Sequence, residues 1–203
     1  MAVAALGAVL LHQLMPGDFR LAPHWIYPAF MVVFLVILVV GDPGRIDRER
    51  RWLKVTTGLM IGMITLVNAV SAARLVDGIL TKGHSFDTAR QLLIIGAVVF
   101  VTNVISFALW FWDLDGGGPA ARAAASGRSA AFVFPEMSVP ELVPAGWYPQ
   151  FIDYLALSFN TATAFGPTDV AAIRPWAKLM MIAEATISLA LATLVVARAV
   201  NIL

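Results

Sequence analysis

Residues Trp147 to Asp169 read WYPQFIDYLALSFNTATAFGPTD, and the fold turns on this stretch. From Tyr148 to Phe159 the large apolar groups Phe151, Tyr154, Leu155 and Phe159 recur at helical spacing. Asp153 sits near the start, where a helix N-terminus favours negative charge. The apolar character then fades into Asn160-Thr161-Ala162-Thr163-Ala164-Phe165-Gly166-Pro167-Thr168-Asp169. At about 1.5 Å of rise per residue the helical part is too short to cross a bilayer, and Gly166-Pro167 prevents its continuation. A half-span helix followed by irregular polar backbone predicts a re-entrant loop. Such backbone is tolerated at membrane depth only where protein buries it or where it lines a wet cavity. The plainer alternative is a surface connection ahead of a final span.

The rest of the chain makes the bilayer the relevant solvent. Of 203 residues, 60% are apolar and 13% charged, against roughly 45–50% and 25% in soluble domains. The mean hydropathy is +0.81. A soluble domain of this size could not hide that much apolar surface. The net charge of +1 gives no basic excess for phosphate neutralisation, so nucleic acid is not an expected partner. Without cysteine, thiolate metal sites, disulfides and cysteine nucleophiles are excluded.

Five apolar runs flank the deciding stretch: Met1–Met15, Trp25–Val40, Trp52 to about Leu80, Gln91–Trp112 and Trp176–Leu203. A bilayer core needs about 20 apolar residues in a helix. The first run is short, and with no Lys or Arg before Arg20 it reads poorly as a signal peptide. Trp25, Tyr27 and the Trp110-Phe111-Trp112 cluster suggest interfacial anchors. Gly58 and Gly62, one turn apart, suggest a close helix approach. Pro175 suits a first helical turn. The expected fold is therefore all-α: a polytopic membrane bundle of about five transmembrane helices plus a short re-entrant pore-type helix and loop. Its regions are a four-helix membrane part at 1–113, an extramembrane loop at 114–146, and the pore-type helix, loop and last helix at 147–203. The loop, with Gly116-Gly117-Gly118-Pro119 and three further prolines, reads as partly flexible, although Val133–Met137 could dock on the bundle.

The last third of the chain resembles the pore module of two-transmembrane potassium channels: outer helix, pore helix, filter, inner helix. Against a filter of the Thr-Thr-Val-Gly-Tyr-Gly-Asp type, Thr163, Gly166 and Asp169 match in type and spacing. Ala164, Phe165, Pro167 and Thr168 depart from it. Most of the chain also resembles a bacterial multi-pass membrane family of unknown function, through Ser158-Phe159, Thr163, Asp169 and Asn201. These resemblances imply an ion pathway through Thr161, Thr163, Phe165, Gly166, Thr168 and Asp169, with Asp153, Asn160 and Glu184 as supporting or bracing groups. They imply monovalent cations as permeant ions, no cofactor, and a homo-oligomer, a tetramer by analogy, in a bacterial inner membrane. The departures argue against a standard potassium filter. Stacked inward carbonyls need backbone freedom that glycine supplies, and Pro167 fixes φ near −65°.

Glu184 falls about nine residues into the last helix, or roughly 13 Å along it. An ionisable group in a span needs a partner or water. It either faces an ion or proton path, or pairs with Arg74 or another polar group between helices. Ser188 follows one turn on, and Thr186, Ala190, Thr193 and Ala197 make a small-residue stripe. Asn68 and Asn103 read as interhelical glue, and Arg74 and Asp77 as interfacial. His12, His24 and His84 show no metal-ligand spacing. No catalytic constellation appears, so no enzymatic activity is expected. The alternative to a channel is a non-conducting scaffold or small transporter, though no internal repeat is apparent.

The segment Gly41–Lys54 carries Arg45, Arg48, Arg50, Arg51 and Lys54, and the positive-inside rule places it in the cytoplasm. Alternation from there puts the 113–146 loop inside as well. A re-entrant segment would then enter from the cytoplasm, inverted relative to potassium channels, unless the basic loop is external against the rule or Tyr148–Gly166 spans fully.

Overall fold

The computed structural model of the chain describes residues 1–20, 23–41, 51–81, 88–123, 129–163 and 169–202. The five apolar runs become helices, with their prolines confined to first turns, and two shorter helices are added between the fourth and the last. They are α1 (Ala2–Gln13), α2 (Ile26–Gly41), α3 (Arg51–Leu80), α4 (Ala89–Leu114), α5 (Pro119–Ala123), α6 (Phe151–Thr163) and α7 (Pro175–Ile202). Two-residue strands β1 (Phe132–Val133) and β2 (Ala171–Ala172) pair antiparallel, Phe132 opposite Ala172. Thr88 caps α4, its Oγ1 accepting from Gln91 N–H at 3.2 Å, which fills one of the orphan donors of a helix start.

Among the described residues, α3, α4 and α7 are long and apolar enough to cross a membrane. At 12 and 16 residues, α1 and α2 are apolar but shorter than a full span.

The fold is organised around α4. It lies antiparallel to α7, with Gly96 against Val195, and Asn103 bonded to Ser188. It lies antiparallel to α3, with Asn103 beside Asn68, and the Trp110 indole donating to Thr65 Oγ1 at 2.9 Å. One core cluster joins α3, α4 and α7 with Met15 and Phe19. A second packs α1 and α2 on α3 and α4. Within the single chain no helix approaches Gly58 or Gly62, and the close approach is at Gly96, where a Cβ would lie 2.7 Å from Val195 Cγ1. The Trp110-Phe111-Trp112 cluster is likewise not an outward belt. Phe111 is fully buried and Trp110 points into the bundle.

Part of the segment after α4 packs on the bundle, where Val133–Met137 was expected to be able to dock. Ala131, Phe132 and Phe134 are buried with Phe111, Tyr154 and Ala177 in a third core cluster. Its rings meet edge-on, Phe111–Phe132 and Phe134–Tyr154 both at 5.1 Å between centroids. Such pairs contribute about 0.5–1.5 kcal/mol each beyond area burial. The glycines taken as a sign of flexibility have a different use. Gly116, Gly117 and Gly118 take φ of 57°, 87° and 103°, a region that residues with a Cβ enter only at a cost. They reverse the chain sharply at the end of α4.

Candidate functional site

α6 and α7 start at the same end of the bundle. At the end where α4 finishes, Phe151 packs on Trp112, and the Tyr154 hydroxyl donates to Asp115 Oδ2 at 2.5 Å. Four residues further along, Ser158 has reached Val104, ten residues back inside α4. Thus α6 points away from the loop and into the bundle. α7 starts at that loop end too, because β2 pairs with β1, Ile173 N–H donates to Ala131 O at 2.8 Å, and Trp176 stacks edge-on against Phe132 at 6.0 Å. Two successive helices that begin at one end require the chain between them to return there. Thr163 and Ala171 are eight residues apart, so extended chain at about 3.3–3.6 Å per residue suffices to retrace the 13-residue helix.

The entrance of α6 is fastened by Asp115. Fully buried, its carboxylate accepts from the Tyr154 hydroxyl and from Ala131 N–H, the latter at 2.5 Å. Arg122 lies over the Tyr154 ring, 5.0 Å from its centroid, and donates to the carbonyls of Trp112 (2.8 Å) and Asp115 (2.5 Å). Burial lowers the Arg122 pKa, while Tyr154 and Asp115 oppose that shift. Lys54, at the basic end of α3, donates to Gly117 O at 3.1 Å. The Lys54 end of α3 and the glycine turn after α4 therefore share one end of the molecule.

Deeper in, a ladder of buried polar groups crosses the helices. Asn68 Nδ2 contacts Asn103 Oδ1 at 3.5 Å, and Asn103 Nδ2 donates to Ser188 Oγ at 3.1 Å. One turn away on α7, Glu184 is fully buried and hydrogen-bonds with Ser158 of α6. The expected alternative partner, Arg74, lies elsewhere: it donates to the carbonyl of Arg20. Glu184, Ser158 and Ser188 are each wholly withdrawn from solvent.

The other sequence-derived residues divide. Thr161 is buried and Thr163 half-buried near the tip of α6. Their hydroxyls donate back to Leu157 O (2.8 Å) and Phe159 O (2.9 Å), which leaves oxygen lone pairs for a ligand but commits the protons. Asn160 is half-buried beside them, and Asp169 is exposed. Phe165, Gly166 and Thr168 lie outside the described residues. Asp153 is in the first turn of α6, where its Oδ2 accepts from Gln150 N–H at 2.7 Å. Of the histidines, His12 packs edge-on against Tyr27, and His84 lies outside the described residues. The chain matches no protein-family model, no curated protein and no solved structure.

Proposed function

We propose that this is a multi-pass protein of the cell membrane that forms a homo-oligomeric pore-loop channel for monovalent cations, with a non-standard filter over Thr161–Asp169. The observation that carries the reading is the hairpin course of α6: fastened at Asp115, directed inward to Val104 and Glu184, and followed by a return to β1. A half-helix inside a helical bundle has no purpose as a span. Its tip brings two threonine hydroxyl oxygens inside the bundle, where they are tolerated if they line a wet path. The likeness to the potassium-channel pore module, through Thr163, Gly166 and Asp169, supports the same reading.

α7 supports it from the other side. It buries only the stripe Ala177, Glu184, Ser188, Leu191, Val195 and Ala199. Thr186, Ala190, Thr193 and Ala197 are exposed on the single chain. A pore built from one loop per chain needs several chains around an axis, four by analogy, and this face of small and hydroxyl side chains would line or flank that axis. With α1 and α2 as tilted or partial crossings the spans number five. The Lys54–Gly117 bond ties the loop to the basic end, so the positive-inside rule puts the mouth of α6 in the cytoplasm. The pore loop is then inverted relative to potassium channels.

Purified protein in liposomes is expected to pass potassium or sodium, with Thr163→Ala or Gly166→Ala lowering the flux or changing the ratio of the two ions. Flux no greater than in protein-free liposomes, together with a monomer in detergent, would overturn the reading. It would leave a non-conducting scaffold, which the dense aromatic packing around Tyr154 also suits.

A further inference from the structure

Glu184 poses a problem of proton counting. Ser158 has one hydroxyl proton and two oxygen neighbours: the Val104 carbonyl at 2.7 Å and Glu184 Oε1. A carbonyl brings no proton, so the bond to Val104 uses the one Ser158 owns. An ionised Glu184 is acceptor-only, and the contact would then set lone pairs against lone pairs. If Glu184 is a neutral acid, its O–H donates to Ser158, Ser158 donates to Val104, and every contact has one proton.

The surroundings point the same way. Glu184 is wholly buried, and among the described residues its Oε2 has no hydrogen-bond partner. A buried carboxylate ion requires a paired charge or several donors, and among the described residues none faces it from any packed element. From α6 comes Ser158; Asp153 and Tyr154 of that helix are engaged with Gln150 N–H and Asp115. From α4 come Asn103, bonded to Ser188, and Val104; the titratable residues of α4, Arg90 and Asp113, lie at its two ends. From α3 comes Asn68, through Asn103, while Arg51, Lys54, Arg74 and Asp77 lie toward its ends. On α7 itself, Lys178 and Arg198 lie toward opposite ends.

We propose that Glu184 is a proton-binding site whose ligand is the proton itself and whose effect is to fasten the half-helix α6. With the proton, Ser158 bonds α6 to α4 and α7 at once. Without it, the single Ser158 proton must choose between the Val104 carbonyl and the carboxylate, so α6 loses one attachment. This holds whether or not the protein conducts ions.

The test is infrared spectroscopy of the whole protein in lipid vesicles near neutral pH, wild type minus Glu184→Gln. The glutamine amide keeps the shape and supplies an N–H donor to Ser158, so the variant is expected to fold. The expected result is the carbonyl stretch of a protonated carboxylic acid, present in wild type, lost in Glu184→Gln and retained in Asp153→Asn. A second variant, Ser158→Ala, keeps the acid but removes its acceptor, and should move the band to higher frequency. Carboxylate bands alone in the difference spectrum, or an acid band indifferent to Ser158→Ala, would overturn the proposal.

Discussion

The Tyr154 hydroxyl and the Asp115 carboxylate meet at 2.5 Å across 39 residues of chain, and this bond fixes where α6 enters the bundle. Its acceptor is fully buried, so no water can take the place of the donor. Tyr154→Phe should lower stability by about 1.5–3 kcal/mol. Asp115→Ala should cost more, since it also strips the acceptor from Ala131 N–H. Thermal unfolding in detergent measures both effects, and limited proteolysis should cut the 129–146 segment faster in each variant. A Tyr154→Phe protein as stable as wild type would remove this bond from the account.

The glycine turn after α4 should be intolerant in a way that glycines on the helix surface are not. Gly116→Ala places a Cβ at φ 57°, 2.9 Å from Arg122 Cγ, and should cost at least the roughly 1–2 kcal/mol of the left-handed conformation. Gly58→Ala, on an open helix face, should stay within about 0.5 kcal/mol of wild type. Comparison of the two melting curves checks the contrast.

The seam between α4 and α7 should show coupling between one glycine and one valine. Gly96→Ala overfills the contact with Val195, at a cost of about 1–3 kcal/mol. Val195→Ala makes room, so the double variant should be more stable than the sum of the two single losses. A double-mutant cycle on thermal stability measures this; strict additivity would mean that the helices do not approach there.

The bundle was legible in the sequence wherever a long apolar run met a clear breaker. Trp52–Leu80 became Arg51–Leu80 and Gln91–Trp112 became Ala89–Leu114. Glu184 was legible too, because a carboxylate deep in an apolar run demands an explanation, but its partner was not. Ser158 lies 26 residues away on a different helix, and Arg74 offered the more obvious charge. The Asp115–Arg122–Tyr154 fastening was missed because it hides inside a composition that resembles a linker. The one available signal was a bulky aromatic pair, Phe132 and Phe134, in an otherwise Gly, Ala and Ser-rich stretch. The glycines misled for a physical reason: the freedom that makes a loop flexible also permits a left-handed turn that nothing else can occupy cheaply. Gly58 and Gly62 have no neighbour within the chain, since spacing shows what a helix face would permit and not which face is used.

The central claim is that α6 enters the bundle and the chain returns on the same side. The chain contains no cysteine, so single cysteines can be placed without background. Replacing Ser138, Val170, Thr81 and Asn201 one at a time, and labelling intact and permeabilised cells with a membrane-impermeant maleimide, reads the side of each position. The account predicts that Ser138 and Val170 share one side, the cytoplasmic, and that Thr81 and Asn201 share the other. Ser138 and Val170 on opposite sides would mean that 151–169 crosses the membrane, and would contradict the hairpin on which the pore reading rests.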